Sequence, residues 1–164
     1  MTISLRQASR ADAPRLNAAL ARLSAELGDT HNATDAEIAA AGWGAAPLFR
    51  ALLAEEGGVV AGGPVLGCAL YSVVFSTARG GGVVHVSDLW VSAEARGAGL
   101  GRRLLAGVAA DAERTWGAER MKLDVYHDSP RARVFYERLG FRPATHHDEM
   151  RLDPEGVAAL KGPA

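Results

Sequence analysis

Cysteine is nearly absent from this 164-residue chain, which has only Cys68, and aromatic side chains make up just 6% of it. One cysteine excludes a disulfide framework and a cysteine-based zinc site. Its place inside the apolar run "VLGCALYSVVF" marks it as a small buried hydrophobe. Charge of one sign is lacking too. Eighteen Lys and Arg face nineteen Asp and Glu, for a net charge of -1. No global field draws such a chain to nucleic acid or to an anionic membrane. No apolar run approaches the roughly 18 residues of a membrane span. The opening "MTISLRQASRAD" lacks the basic, apolar, small-residue order of a secretory leader, so a cytoplasmic protein is expected. His85, His127, His146 and His147 have no recognised zinc spacing, and no metal site is expected.

What remains is an ordinary globular composition, 48% hydrophobic and 23% charged. A chain of this size buries roughly 70% of the surface it exposes when unfolded, enough for one real core. One domain over residues 1–164 is expected. "TISLRQAS" alternates and predicts a first strand. Ser9 and Asp12 can form a capping box for a helix that aligns Leu16, Leu20, Leu23 and Leu27 and stops at Gly28. "TDAE", Thr34 to Glu37, predicts a second box and a short helix ending near Gly42. "PLFRALLAEE", "VLGCALYSVVF" and "VVHVSDLWV" predict three successive strands. A helix follows from about Gly99 to Trp116, then the strand "RMKLDVY". "SPRARVFYERLG" predicts a helix with Ser129 as cap, Pro130 in the first turn and Gly140 as stop. "FRPA" and "HHDEMRLD" predict two short strands, and "PEGVAALKG" a last short helix. The order gives an α/β (α+β) domain. Its sheet is mixed, mostly antiparallel and twisted, with about six to seven strands and about four flanking helices.

Residues 96–101, "RGAGLG", stand between a strand and a helix. A helix N-terminus offers unpaired N–H groups and partial positive charge. Glycine lets the chain turn sharply and lets an anion come close. Phosphate or pyrophosphate is the ligand this chemistry favours. The Walker loop fails as a reading, because Arg102 and Arg103, not a lysine and a hydroxyl, follow Gly101. The dinucleotide fingerprint is a weak match, since the glycines here run G-x-G-x-G and the loop sits mid-chain after three or more strands.

This loop, with "ARVFYERLGF" at Ala132 to Phe141, resembles the two motifs of the GNAT superfamily of N-acetyltransferases. "LRQASRADAPRL" is similar to that superfamily's opening. "TDAEIAAAGWGAAPLFRALLAEE" and "VSDLWVSAEARGAGLG" bring the chain closest to the spermidine/spermine (diamine/thialysine) N-acetyltransferase-like group.

The resemblance implies acetyl-CoA as co-substrate. Arg96, Gly97, Ala98, Gly99, Leu100, Gly101 and Arg102 would meet its pyrophosphate. The main chain of Leu89, Trp90 and Val91 would pair with the pantetheine arm. Ser129 stands where the superfamily often has asparagine, and would make a weaker contact. Tyr136 corresponds to the superfamily's general acid to the CoA thiolate. A tyrosine, with an ordinary pKa of about 10, is protonated at neutral pH and can donate.

The base is left open between Asp88 and His85. The polyamine enzymes carry a glutamate–aspartate pair where this chain has Ser87 and Asp88. His85 can serve instead, since histidine titrates near neutrality. By strict alternation His85 and Asp88 fall on opposite faces of one strand, unless a bulge intervenes. The expected acceptor is the primary amine of a small molecule: a polyamine, diamine, thialysine or amino-acid-like compound. The alternatives are a protein or peptide N-acetyltransferase and a non-catalytic acyl-CoA sensor of the same fold. No nucleic-acid or membrane partner is expected. The resemblance implies a homodimer.

Overall fold

The computed structural model describes residues 2–57, 62–145 and 149–161. The chain forms two compact units, residues 1–124 and 125–164.

The first unit is built on a five-stranded sheet in the order β1-β2-β3-β4-β5. The strands are β1 Ile3–Gln7, β2 Arg50–Glu56, β3 Val65–Ser76, β4 Gly81–Val91 and β5 Arg120–Leu123. β1 to β4 pair antiparallel in sequence order, and β5 joins β4 in parallel. The change of direction follows from α3, Leu100–Trp116, which crosses over between β4 and β5. α1, Ala13–Leu27, and α2, Asp35–Trp43, fill the connection between β1 and β2.

The sheet has two packed faces. On one, Leu16, Ala19 and Leu20 of α1 and Ile38 of α2 meet Ala51, Leu53, Cys68 and Trp90. On the other, Leu100, Leu104, Leu105, Val108 and Ala112 of α3 are buried. Gly67 of β3 lets α3 come this close. A Cβ there would sit 2.9 Å from the Trp90 carbonyl oxygen and 3.1 Å from the Leu104 side chain. Buried Tyr71 stacks edge-on to Trp116, with centroids 6.2 Å apart. Its hydroxyl donates to Asp111 at 2.5 Å, and Arg50 donates to the same carboxylate at 2.6 and 3.0 Å.

Local signals explain the helix starts. Thr34 Oγ1 accepts from the Glu37 N–H at 3.2 Å, and the Glu37 carboxylate accepts from the Thr34 N–H at 2.8 Å, the reciprocal box predicted from "TDAE". Asp12 accepts from the Ser9 N–H and hydroxyl, both at 2.8 Å. This carboxylate also takes two bonds from Arg6 at 2.7 Å, and Arg6 reaches on to Glu55.

In the second unit, α4 spans Pro130–Arg138 and α5 spans Pro154–Lys161. "YERLGF" closes α4 in a Schellman turn. The Phe141 N–H bonds to the Tyr136 carbonyl at 3.1 Å and the Gly140 N–H to that of Glu137 at 3.0 Å. Gly140 has φ 93°, the left-handed region that this turn requires.

Among the described residues there are five strands where six to seven were expected, and five α-helices where about four were expected. The residues of "FRPA" are not strand, nor are 149–153 of the "HHDEMRLD" segment. Residues 146–148 lie outside the described residues. "FRPA" carries a proline, which removes a ladder donor. Ser129 does not cap α4 with its side chain. Its ψ of 62° departs from the extended backbone that aims a capping oxygen at the helix N–H groups.

Candidate active site

The β4 strand carries the feature that organises the site. Its register with β3 slips between Leu70 and Tyr71: Tyr71 pairs with Val86 and Leu70 with Asp88. Ser87 is therefore an extra residue, a β-bulge. Its hydroxyl donates to the Leu70 carbonyl at 3.3 Å. The bulge resets the alternation. His85 opposes Ser72 and Asp88 opposes Leu70, so both lie on the α1/α2 face of the sheet. The separation predicted by strict alternation is overturned by this one inserted residue.

The parallel ladder to β5 also ends at the bulge. Its last pair is Val86 with Leu123, while β4 continues to Val91. Beyond the ladder, the backbone of Asp88 to Val91 stays bonded to β3 on one edge only within this unit. Such an edge presents N–H and C=O groups at strand spacing. Trp90, 3% exposed, is anchored in the core below, and its Nε1 donates to Glu26 at 3.1 Å.

β4 leads through a 3-10 turn at Ala93–Ala95 into the glycine loop. Gly97 has φ 79° and Gly99 φ 76°, which L side chains rarely adopt. A Cβ at either position would meet nothing within 4 Å, so it is the backbone turn that demands glycine. Gly99 is the N-cap of α3, and its carbonyl takes the Arg103 N–H at 3.1 Å. The N–H groups of Leu100, Gly101 and Arg102 thus precede the first N–H that donates within the helix, that of Arg103, and open at the positive end of a 17-residue helix. Two glycine turns, a helix N-terminus and the β4 edge fit an elongated ligand with an anionic end and an amide-bearing arm. Arg96 is bonded within the protein. Its Nε donates to the Val91 carbonyl at 3.0 Å and its Nη2 to Glu26, so it ties the loop to β4 and α1. Ala98 and Arg102 are exposed.

Burial pushes the Asp88 carboxyl up, against the Ser87 hydroxyl and, more weakly, His31 and His85, which favour the carboxylate. His85 Nε2 lies 3.3 Å from Asp124 at the end of β5. Sequence reasoning missed His31, which lies in the connection after α1. Its Nε2 is 2.8 Å from Asn17 Oδ1 and its Nδ1 is 3.3 Å from Ser24 Oγ. No local motif announces this group. The one available signal is that Asn17 and Ser24 fall two turns apart on α1.

In the second unit Tyr136 packs against Phe135, with centroids 5.1 Å apart, and edge-on to Phe141 at 5.6 Å. The Schellman turn folds Phe141 back onto this ring. Burial pushes the Tyr136 phenol above its ordinary value, so it holds its proton at neutral pH. Among the described residues, no group of three His, Cys, Asp or Glu comes together as a metal site. His146 and His147 lie outside the described residues. No described helix is long and apolar enough to cross a membrane.

The profile described as "Acetyltransferase (GNAT) family" matches residues 17–141. A thialysine N-epsilon-acetyltransferase of Sus scrofa is 28% identical over 143 residues, covering 84% of this chain and 83% of its own. An integron cassette protein from the mobile metagenome of V. cholerae superposes with TM-score 0.78 at 23% identity, covering 99% of both chains. An aminoglycoside N-acetyltransferase solved in complex with CoA superposes with TM-score 0.70 at 18% identity, over 92% of this chain and 95% of its own. These likenesses agree with a single α/β domain of this family's kind.

Proposed function

The chain belongs to the acetyltransferase (GNAT) family, whose co-substrate is acetyl-CoA, and from that premise we propose that it acetylates the primary amine of a small cationic molecule. The observation that carries this reading is the Ser87 bulge. It ends the β4–β5 ladder and turns Asp88 onto the same face as His85. Similarity to the thialysine enzyme favours a diamine, polyamine or amino-acid-like acceptor.

In this reading the N–H groups of Gly97 to Arg102 hold the pyrophosphate. The main chain of Leu89 to Val91 pairs with the pantetheine amides, and the Ser129 hydroxyl adds a contact. Arg96 fixes the angle between loop and strand. Asp88 binds the ammonium ion and accepts its proton, directly or through water. The raised pKa brings this carboxyl nearer the working pH of a base. His85, backed by Asp124, adds a second polar group on that face. The neutral amine attacks the thioester carbonyl carbon, the C–S bond breaks, and the sulfur takes the bonding pair. Tyr136 donates its phenolic proton to that sulfur, and the second N–H proton, shed by the acetylated nitrogen as the amide forms, restores the phenol. Its raised pKa keeps the proton available until the thiolate forms.

The test is release of free CoA thiol from acetyl-CoA with a panel of amines: putrescine, spermidine, thialysine, lysine, an aminoglycoside and a short peptide. Turnover with a small amine is expected, with kcat in Tyr136→Phe lower by about 10²-fold. Turnover with the peptide alone, or saturable acetyl-CoA binding without turnover, rejects the small-amine reading.

A further inference from the structure

The bulge in β4 is imposed by the residues on either side of it. On β3, Leu70 and Tyr71 are consecutive and face opposite ways. Leu70 packs against the α1/α2 core, while the Tyr71 hydroxyl reaches Asp111 of α3. Residues directly opposite in a ladder share a face. Val86, paired with Tyr71, therefore lies on the α3 face, and Trp90, paired with Cys68, lies in the α1/α2 core. Val84, two positions before Val86, lines a space with Ala109 of α3. Val84, Val86 and Trp90 are all buried, at 3% exposure or less. Val86 and Trp90 are four positions apart, which on a regular strand puts both on one face. They are buried on opposite faces, so β4 has to take in one extra residue between them.

Residue type decides which one. Were Leu89 the extra residue, Ser87 would pair with Leu70, and Asp88 would turn to the face that α3 covers, opposite fully buried Ala69. A carboxylate there is costly. Ser87 is small and polar, stays exposed, and spends its hydroxyl on the Leu70 carbonyl at 3.3 Å.

We infer that Val86 is a positioning residue of the acceptor site: its burial beneath α3, set against the burial of Trp90 on the other face, forces the Ser87 bulge and so brings His85 and Asp88 to one face. This deepens the small-amine reading and rests on it for the roles of His85 and Asp88. The competing arrangement is a regular ladder. In it the segment 81–86 slips by one residue along β3, with Ser87 opposite Tyr71, Val86 opposite Ser72 and His85 opposite Val73. Val84 and Val86 leave the α3 face, and His85 turns onto it, away from Asp88. Gly80, Gly81 and Gly82 at the hairpin turn leave room for such a slip. The apolar burial of two valines holds the bulged register against it.

Cross-strand proton–proton contacts in nuclear magnetic resonance spectra of the full chain read the register without any turnover. In the wild type, Tyr71 should meet Val86 and Leu70 should meet Asp88. The double exchange His85→Val/Val86→His moves the apolar pattern by one position. The regular ladder is expected there, with position 86 opposite Ser72, Ser87 opposite Tyr71, and Leu70 still beside Asp88. An unshifted register, with the introduced imidazole opposite Tyr71, overturns the proposal. Ser87→Ala removes only the hydroxyl and should keep both wild-type pairings. A shift in that variant would assign the bulge to the Ser87 bond instead, and would also overturn the proposal. In the active enzyme, Val86→Thr keeps the size of the side chain but buries a hydroxyl. Its kcat for the amine should fall by about tenfold, with KM for acetyl-CoA unchanged, and Val86→Ile should recover it. A Val86→Thr protein that is less stable but keeps the wild-type kcat marks a residue of packing only, and overturns the positioning role. A wild type that turns over no small amine rejects the reading beneath, while the register result stands by itself.

Discussion

Glu55 on β2 and Asp88 on β4 lie on the same face of one sheet, yet their surroundings differ in kind. Glu55, 2% exposed, meets Arg6 through two bonds at 2.7 and 3.0 Å and Arg15 at 2.5 Å. Asp12 shares both arginines. Bonding to Arg6 holds Glu55 and Asp12 below the ordinary carboxylate range, despite burial. Among the described residues, the groups that favour the Asp88 carboxylate are a neighbouring hydroxyl and two histidines, with no arginine, and burial prevails. A carboxylate whose lone pairs are all met by fixed donors is part of the fold. One left short of cations, at a bulge, is prepared to receive one from outside.

The largest effect expected from breaking this comparison is on stability. Glu55→Ala removes one of the two buried carboxylates that share Arg6 and Arg15 and leaves Asp12 to serve both, a loss of charge-assisted hydrogen bonds that typically costs about 2–3 kcal/mol. Urea titration should show that loss, while kcat/KM of the folded fraction stays near wild type. The pH dependence carries the same sign. Glu55 and Asp12 have depressed folded-state values, so their contribution is complete above the ordinary carboxylate range of about 4. It is lost as pH falls through their folded values. The wild type should therefore lose stability on acidification below about pH 4, and Glu55→Gln should flatten that dependence. An unchanged acid slope in Glu55→Gln would remove this pair from the account of stability.

A smaller effect is expected at Asp88, and with the opposite sign for stability. Its folded-state value is raised, so its favourable contribution belongs to acidic pH and is lost as pH rises through that value. Asp88→Asn should leave the neutral-pH stability unchanged or slightly higher. It should also lower kcat/KM for the amine by about 10²-fold, in the range for a lost acid–base group. A variant that is both inactive and strongly destabilised would place Asp88 with Glu55 and erase the distinction.

The contrast also separates what the sequence discloses from what it conceals. The helix starts at Thr34 and Pro130, the stop at Gly140 and the glycine loop at Gly97 and Gly99 were legible, because each depends on residues within one turn of chain. The strands β2 to β4 were legible from composition. The bulge was not, since a register slip arises from pairing between Leu70 and Asp88, which lie 18 positions apart. It was nonetheless the event that decided whether His85 and Asp88 share a face. The place of Arg96 beside the glycines predicts a cation near the pyrophosphate. Its bond to Glu26, 70 positions away, belongs to tertiary structure. His31 lacked any local mark, because its partners Asn17 and Ser24 are brought to it by the turn that follows α1.

The smallest expected effect tests the same contrast from inside the core. Cys68 is fully buried beside Trp90 on β3, and burial, assisted by Asp88, pushes its thiol up to about 12. A thiol reagent can reach it only when the sheet opens, so the labelling rate follows the open population when reclosing is fast. Glu55→Ala, by lowering stability, should speed labelling by about 10²-fold. Asp88→Asn should change it less than about twofold. This substitution alters only the second of the influences on the thiol, and leaves the packing of Trp90 and α1 over it intact. Equal acceleration in both variants would mean that Asp88 holds β3 and β4 together as Glu55 holds β1 and β2. Its isolation from arginine would then be a feature of packing alone.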